Sequence, residues 1–257
     1  MGSFQGVSAE EYARFMGRFS TPLAVPFAAA GLDGIASDAR VLDVGCGPGM
    51  LTTELVRRRG AAAVSAVDPE PVFVAATAGS FPGVDTRVAG AEDLPFEAGE
   101  FGAALAQLVV HFMADPVRGV SEMARVTASG GRVSACVWDH GGGGGPLSGF
   151  WRVAQRLDPT ARGEASLQGA SEGQLVEIFE RAGLADVTQQ VIESTVAFED
   201  FDDWWQPFLF GVGPAGRYVA TLDEAGVARL ERALRDELGD GAFSITARAW
   251  TAVGVVA

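Results

Sequence analysis

A glycine-rich turn and a later acidic residue are the part of this chain best suited to chemistry. Residues 41–49 read VLDVGCGPG and join a short apolar run to three glycines, which let a nucleotide-like ligand approach the backbone closely. A second apolar run ends in Asp68, 19 positions after Gly49, where a carboxylate can accept hydrogen bonds from both ribose hydroxyls. Together the two features predict a nucleoside-cofactor site.

The spacing of the glycines argues against two other nucleotide motifs. A dinucleotide fingerprint places its third glycine one position later, where this chain has Met50. A phosphate-binding P-loop would continue with Gly-Lys-Ser or Gly-Lys-Thr, and neither follows here. A nicotinamide-dependent oxidoreductase is therefore a disfavoured alternative.

Two histidines, His111 and His140, each follow a predicted strand at the edge of the sheet where ligands collect. An imidazole there can act as a general base on a phenol, enol or amine. We predict a catalytic role for His111, with a hydrogen-bonded structural imidazole as the alternative. The two cysteines, Cys46 and Cys136, form neither a disulfide framework nor a metal-ligand cluster, so we predict no metal.

The pattern of apolar runs predicts an α/β fold with a doubly wound, mostly parallel sheet and an antiparallel strand at one edge. The predicted helices are 8–30, 50–59, 70–79, 116–127, 148–157 and 171–182, with more within 200–238. The predicted strands are 41–45, 62–67, 85–90, 102–109, 131–138, 187–197 and 243–256. In the first helix, Ser8 and Glu11 are spaced as in a capping box.

The chain length fits one domain, which we predict over residues 1–257. Within it we expect an N-terminal helical cap at 1–37 and a cofactor-binding core at 38–139. The rest of the sheet, with helical insertions on the substrate side, is expected at 140–257. The glycine run 141–145 reads either as a mobile loop beside the site or as a surface insertion.

The charge balance favours a small-molecule partner. There are 33 acidic and 19 basic residues, for a net charge of -14, whereas nucleic acids and anionic membranes are usually bound by clustered Lys and Arg. No apolar run is long enough to span a bilayer, and the first residues do not resemble a signal peptide. We therefore expect a cytoplasmic protein, as a monomer or homodimer, that binds neither nucleic acid nor membrane.

Five segments within 38–139 carry a resemblance to a known family. They are the VLDVGCGPG turn, AVDPE at 66–70, AEDLPF at 91–96, LVVHF at 108–112 with the following Asp115-Pro116, and EMARV at 122–126 leading to SGGR at 129–132. In order and spacing the chain resembles the class I S-adenosylmethionine-dependent methyltransferases. The similarity is to the small-molecule branch (type 11), which includes ubiquinone and menaquinone methyltransferases.

The resemblance implies a Rossmann-like methyltransferase fold with S-adenosylmethionine as cofactor and S-adenosylhomocysteine as product. It implies that the glycine turn lies against the methionine part, that Asp68 holds the ribose hydroxyls, and that the backbone of Gln107 faces the amino group. Many relatives carry Asp before the Ala-Glu pair that borders the adenine, and this chain has Gly90 there. The implied cofactor-binding residues are Asp43, Gly45, Cys46, Gly47, Asp68, Pro69, Ala91, Glu92 and Gln107, with Arg18, or alternatively Arg14, for the cofactor carboxylate.

Aromatic residues from three parts of the chain are candidates for an apolar acceptor pocket, although ordinary helix packing also uses aromatics at this spacing. They are Tyr12, Phe15, Phe112, Trp138, Trp204 and Trp205. The expected function is methyl transfer to an oxygen, nitrogen or carbon nucleophile of a small aromatic or lipophilic metabolite. The alternative is a non-methylating S-adenosylmethionine-binding protein or a cyclase-like enzyme on the same fold.

Overall fold

The computed structural model describes residue 10 and residues 13–257. The helices are Arg18–Leu32 (α1), Met50–Arg59 (α2), Pro71–Ser80 (α3), Pro116–Val126 (α4), Ser148–Leu157 (α5), Gln174–Arg181 (α6), Phe201–Trp205 (α7), Gly213–Thr221 (α8) and Glu224–Leu238 (α9). The strands are Val41–Val44 (β1), Val64–Asp68 (β2), Asp85–Val88 (β3), Phe101–Gln107 (β4), Thr127–Trp138 (β5), Ala185–Phe198 (β6) and Phe243–Val255 (β7).

The seven strands form one sheet in the order β3-β2-β1-β4-β5-β7-β6. The first five strands are parallel, and β7 runs antiparallel to both β5 and β6. The predicted α/β class and antiparallel pairing are confirmed, although the antiparallel strand lies second from the edge and β6 forms the edge itself. The strand order reverses beside β1, so a ligand is expected beyond the carboxyl ends of β1 and β4.

Helices cover both faces of the sheet, as the continuous burial of β1 and β2 requires. On one face, α1 and the aromatic residues of α5, α7 and the following turn form one apolar core. On the other face, α4 and α6 pack on the inner strands through residues such as Val120, Met123 and Phe179. The site therefore sits at the strand ends of a sheet that is covered on both sides.

Several predicted boundaries shift where glycine or a strained residue interrupts the pattern. The predicted strand 102–109 ends at Gln107 because Leu108 takes a φ of +61°. The helix predicted at 171–182 begins at Gln174, directly after Gly173 with its φ of +81°. Such backbone conformations end regular elements, and they cannot be read from an apolar pattern.

The N-terminal segment packs on the sheet and also contributes residues to the site. Ser8 and Glu11 of the predicted capping box lie outside the described residues. A turn of π-helix, Ala13–Gly17, precedes α1, whose Leu23 and Phe27 are completely buried in the core. Only the beginning of this segment reaches the strand ends. No helix in residues 13–257 is both long and apolar enough to cross a bilayer.

Candidate active site

The turn after β1 is a tight loop pressed against the segment that follows β4. Gly45 and Gly47 have φ of +72° and +52°, in the left-handed region where other residues are strained. The N–H groups of Gly45 and Cys46 both donate to the Val67 carbonyl, at 2.8 and 2.9 Å. A Cβ atom on Gly45 would lie 2.4 Å from Val109 Cγ2. Glycine is therefore required at position 45 by both conformation and space.

Asp68 closes this turn from the end of β2. Its Oδ2 accepts a hydrogen bond from the Gly47 N–H at 2.9 Å, and its Oδ1 accepts one from the Glu70 N–H at 2.9 Å. Burial raises the pKa of Asp68, while these two backbone hydrogen bonds act in the opposite direction. Each carboxylate oxygen has a second lone pair, so Asp68 can brace the turn and still accept from a ligand hydroxyl.

A cavity opens beside the turn, and a buried carboxylate lies in its wall. Asp43 Oδ2 accepts from Thr52 Oγ1 at 2.6 Å, whereas Oδ1 is buried without a partner among the described residues. Burial, together with the nearby charge of Asp68, raises the pKa of Asp43 to about 7. Burial also raises the pKa of the Cys46 thiol. The cavity is lined by Ser20, Asp43, Gly45, Cys46, Gly47, Pro48, Met50, Leu51 and Gln107.

Gln107, the last residue of β4, lines the same cavity and connects it to α1. Its Nε2 donates to the Ser20 carbonyl at 2.9 Å. Its Oε1 is buried and, within the described part of the chain, accepts no hydrogen bond. Asp43 Oδ1 and Gln107 Oε1 are thus two unsatisfied acceptors on one cavity, and buried acceptors without donors are costly. The pair suits a ligand that brings an N–H donor.

The residues predicted near an adenine lie outside this cavity. Glu92 Oε1 accepts from the Ala114 N–H at 2.8 Å, so its carboxylate stabilises the loop before α4. Ala91 is buried in the core on the α4 side of the sheet, and Pro69 is exposed beside Asp68. Their predicted contacts with a cofactor stay predictions.

The charge of Arg18 is paired with another residue in this structure, and its expected role at the cofactor carboxylate stays a prediction. Its guanidinium forms a two-pronged ion pair with Asp203, at 2.7 and 3.0 Å, and lies over the Phe198 ring. It also donates to the Ala197 carbonyl at 2.9 Å. These contacts join the start of α1 to β6 and α7. Arginine suits this structural role because its guanidinium can pair with both oxygens of a carboxylate.

A second cavity is lined in part by the residue that follows Gln107, and its walls are mainly apolar. It is lined by Phe15, Met16, Leu108, His111, Phe112, Trp138, His140, Leu147, Glu164, Gly213 and Pro214. Leu108 follows Gln107 directly and holds a φ of +61°, a conformation rarely adopted by leucine. The consecutive residues Gln107 and Leu108 therefore each line one of the two cavities.

His111 and His140 come together in this second cavity, with ring centroids 6.2 Å apart. His111 packs on Phe112 at 3.9 Å, and its buried Nδ1 has no hydrogen-bond partner in the described structure. Burial, and secondarily the charge of His140, lowers the pKa of His111 to about 3. His111 is therefore a neutral imidazole whose Nδ1 is free to interact with a ligand, and it is a weak base.

The aromatic candidates divide between the cavity and the core. Phe15, Phe112 and Trp138 line the second cavity together with His111, and Tyr12 lies outside the described residues. Trp204 and Trp205 are not among the residues that line it, and their expected place in the acceptor pocket stays a prediction.

Instead, both tryptophans pack around Phe208, with ring centroids 4.7 Å from Trp204 and 5.6 Å from Trp205. Phe208 in turn contacts Phe15 at 5.0 Å, so the two tryptophans support the cavity wall from behind.

Ser20, Leu108 and Glu164 are among the cavity residues to which the sequence patterns assigned no role in the site. Leu108 carried a usable signal, since it stands at the end of a strand within a segment typical of the family. Glu164 follows α5 in a stretch without regular periodicity, and no local pattern connects it with His111. Only the folded chain places it there.

Residues 42–135 match the family model described as a methyltransferase domain. This match covers β1 to β5 and includes the glycine turn, Asp68 and the strained link after β4. Over residues 42–135 the chain carries a methyltransferase domain.

Two curated relatives share this methyltransferase domain. An uncharacterized methyltransferase of Mycobacterium tuberculosis (strain ATCC 25618 / H37Rv) is 38% identical over 104 residues, which are 40% of this chain and 41% of the relative. The ubiquinone biosynthesis O-methyltransferase of Xanthomonas oryzae pv. oryzae (strain PXO99A) is 38% identical over 117 residues, 44% of this chain and 47% of the relative. The matches thus span less than half the length of these relatives.

Solved structures share the fold of the methyltransferase domain over most of the chain. Geranyl diphosphate C-methyltransferase from Streptomyces coelicolor A3(2), in complex with Mg2+, geranyl diphosphate and S-adenosyl-L-homocysteine, is 18% identical with a TM-score of 0.52, covering 91% of this chain and 78% of that one. The [4+2]-cyclase SpnF is 20% identical with a TM-score of 0.54, covering 90% and 79%. At 18% and 20% identity, the similarity shows a shared fold and nothing further.

Proposed function

We propose that this chain transfers a methyl group from S-adenosylmethionine to an oxygen, nitrogen or carbon nucleophile of a small apolar acceptor. The proposal rests on one observation above all. The cavity at the glycine turn is lined by Gln107, and the apolar cavity at His111 is lined by Leu108, the next residue of the chain. Methyl transfer needs two ligands held next to each other, because positioning provides much of the acceleration.

The residues of the first cavity fit the proposed cofactor. Asp43 Oδ1 and Gln107 Oε1 are buried acceptors that an ammonium group would satisfy. Asp68 has spare lone pairs for ribose hydroxyls, and the left-handed glycines keep side chains away from the ligand. When bound, the cofactor would supply an electrophilic methyl group on a sulfonium.

The second cavity fits an acceptor that is mostly apolar. Its aromatic walls favour a flat or lipophilic molecule, and His111 Nδ1 can accept a hydrogen bond from an acceptor O–H or N–H. Because burial lowers the pKa of His111 to about 3, we assign it to holding the nucleophile rather than to removing its proton in advance. Phe15 and Phe112 add apolar surface for such an acceptor.

Calorimetric titration tests the cofactor assignment directly. The purified protein is titrated with S-adenosylmethionine and, in parallel, with NADH, and the first titration is repeated with Asp68→Ala. We expect saturable S-adenosylmethionine binding that this change weakens at least about tenfold, no NADH binding, and unchanged binding for the exposed control Asp236→Ala. A folded protein that binds no S-adenosylmethionine would refute the proposal.

A second function is compatible with the same fold and deserves its own test. The likeness to the [4+2]-cyclase SpnF and the weak basicity of His111 favour a protein that uses the pocket without transferring the methyl group. Product analysis separates the two. A methyltransferase releases S-adenosylhomocysteine in proportion to methylated acceptor, whereas a cyclase-like protein leaves the cofactor intact.

A further inference from the structure

One carboxylate lies in the otherwise apolar wall of the second cavity. Glu164 is buried, with 8% of its surface exposed, and it lies on the same cavity as His111, His140 and Trp138. Its Oε2 accepts a hydrogen bond from Trp151 Nε1 at 2.8 Å, which orients the carboxylate. Burying a carboxylate is costly unless donors or a cation accompany it, so this position favours a positively charged ligand.

Within the described residues, Trp151 Nε1 is the side-chain donor to this carboxylate. The charge of Glu164 also acts on His140, whose pKa it raises against the effect of burial. His111 Nδ1, on the same cavity, is buried without a partner in that part of the chain. A ligand with more than one polar group could contact both the carboxylate and this imidazole nitrogen.

The other groups around this cavity determine the charge that it accepts. Among the described residues that line it there is neither lysine nor arginine. Burial lowers the pKa of both His111 and His140, so neither imidazole supplies a positive charge at neutral pH. An acceptor carboxylate or phosphate would find no cation here, and it would meet Glu164.

We propose that Glu164 binds a protonated amine of the methyl acceptor, so that the substrates of this site are apolar amines rather than acids or phosphates. This inference rests on the proposed function. The aromatic residues Phe15, Phe112 and Trp138 on the same cavity favour a cation as well, since ring faces attract ammonium groups. The amine is the group that is recognised and does not receive the methyl, because an ammonium nitrogen has no lone pair. The nucleophile is a second group of the same molecule, held at His111.

Three indoles of similar shape and different charge test the proposal. Tryptamine carries an ammonium, 3-ethylindole is neutral, and indole-3-propionate is an anion at neutral pH. Each is titrated into protein that has first been shown to be saturated with S-adenosylhomocysteine. We expect tryptamine to bind at least about tenfold more tightly than 3-ethylindole, and indole-3-propionate to bind at least about tenfold more weakly than 3-ethylindole.

Glu164→Gln is the decisive variant, because the glutamine oxygen can still accept from Trp151 Nε1 while the charge is lost. We expect it to remove the preference for tryptamine and to leave 3-ethylindole binding unchanged. Glu172→Gln makes the same charge change at an exposed position near in sequence and should preserve the preference. A thermal unfolding scan of each variant checks that its fold is intact.

The proposal is overturned if the three indoles bind equally, if none binds at millimolar concentration, or if the preference survives in Glu164→Gln. It is also overturned if Glu164→Gln weakens S-adenosylmethionine but not S-adenosylhomocysteine, since Glu164 would then act on the sulfonium. Failure of S-adenosylhomocysteine to bind the parent protein counts against the proposed function itself. The two failures are therefore distinguishable.

Discussion

Gln107 Nε2 donates a hydrogen bond to the backbone carbonyl of Ser20 at 2.9 Å, across 87 positions of sequence. This bond joins the end of β4 to α1 at the point where the strand order reverses, and it orients the side chain so that Oε1 is left for a ligand. One amide thus connects the N-terminal segment to the proposed cofactor site.

Replacing this amide should affect both stability and binding. Gln107→Leu leaves the Ser20 carbonyl without its donor, and we expect a loss of about 1–3 kcal/mol in the free energy of unfolding together with weaker S-adenosylmethionine binding. Urea denaturation and calorimetry measure the two effects. Gln168→Leu, at an exposed position, should change neither; equal behaviour of the two variants would contradict the role of Gln107.

Gly45→Ala should disrupt the turn through a clash as well as through backbone strain. Gly211 has the same φ of +72°, yet nothing lies within 4 Å of a Cβ atom added there. Gly211→Ala therefore measures the strain alone, about 1–2 kcal/mol, and Gly45→Ala should cost more because Val109 must move. Urea denaturation compares them, and Val109→Ala should partly rescue Gly45→Ala. Equal losses without rescue would show that the contact with Val109 is unimportant.

Asp43 should make the protein less stable as the pH rises. Burial raises its pKa to about 7 in the folded state, against about 3.9 when unfolded, so the protonated form is favoured on folding. The resulting stabilisation is fully present below about pH 4 and is lost as the pH rises through about 7. Asp43→Asn should therefore gain stability relative to the parent across this range, by at most about 4 kcal/mol.

Unfolding curves at pH 4, 6 and 8 check the sign of this effect. The exposed Asp38→Asn serves as the control for charge removal and should follow the parent at every pH. A parent protein that gained stability over Asp43→Asn with rising pH would show that the Asp43 pKa is lowered instead.

His111 should stay neutral throughout the physiological range. Its pKa is lowered to about 3 in the folded state, so its contribution to stability is present above the unfolded value of about 6.5 and declines as the pH falls. Between pH 7.5 and 5 the loss is about 2 kcal/mol, and His111→Gln should abolish it.

Proton NMR of the two histidine rings tests this directly, with His140→Gln to assign them. We expect no titration of the His111 resonances between pH 5 and 8. A midpoint near pH 6.5 would restore His111 as a general base of ordinary strength.

Replacing a core aromatic residue should mainly reduce stability, whereas replacing a cavity aromatic residue should mainly weaken ligand binding. Trp205 is 2% exposed in the core, and Trp205→Ala should cost about 3–5 kcal/mol of stability. Phe112 is 38% exposed at the second cavity, and Phe112→Ala should cost less than about 1 kcal/mol while weakening the binding of 3-ethylindole. Denaturation measures the stability of both variants, and titration measures their binding of 3-ethylindole. A smaller loss of stability in Trp205→Ala than in Phe112→Ala would contradict this division.

Much of the fold follows from local patterns. The buried runs at β1 and β2 and the helical period of α5 depend on neighbouring residues, so the predicted 41–45 and 148–157 lie close to Val41–Val44 and Ser148–Leu157. The glycine turn and Asp68 could be placed together because parallel strands end at one edge of a sheet. The spacing suggested that Asp68 lies near the glycine turn, and the parallel strand topology explains why it does.

Two assignments at the site meet contacts that the sequence patterns did not indicate. Arg18 was assigned to a ligand carboxylate, and the fold pairs it with Asp203, 185 positions away. Trp204 and Trp205 were assigned to the acceptor pocket, and they pack around Phe208 in the core. The contact of Arg18 joins distant parts of the chain, so no local pattern could indicate it.

The sequence by itself determined the parallel sheet, the glycine turn and its partner Asp68, because apolar period, glycine conformation and strand order are rules of short range or of topology. Only the tertiary structure decided which polar atoms are left without partners. Asp43 Oδ1, Gln107 Oε1 and His111 Nδ1 are unsatisfied within the described residues because the surrounding chain buries them. Burial is a property of the whole fold, and it also brings Glu164 to the cavity that contains His111.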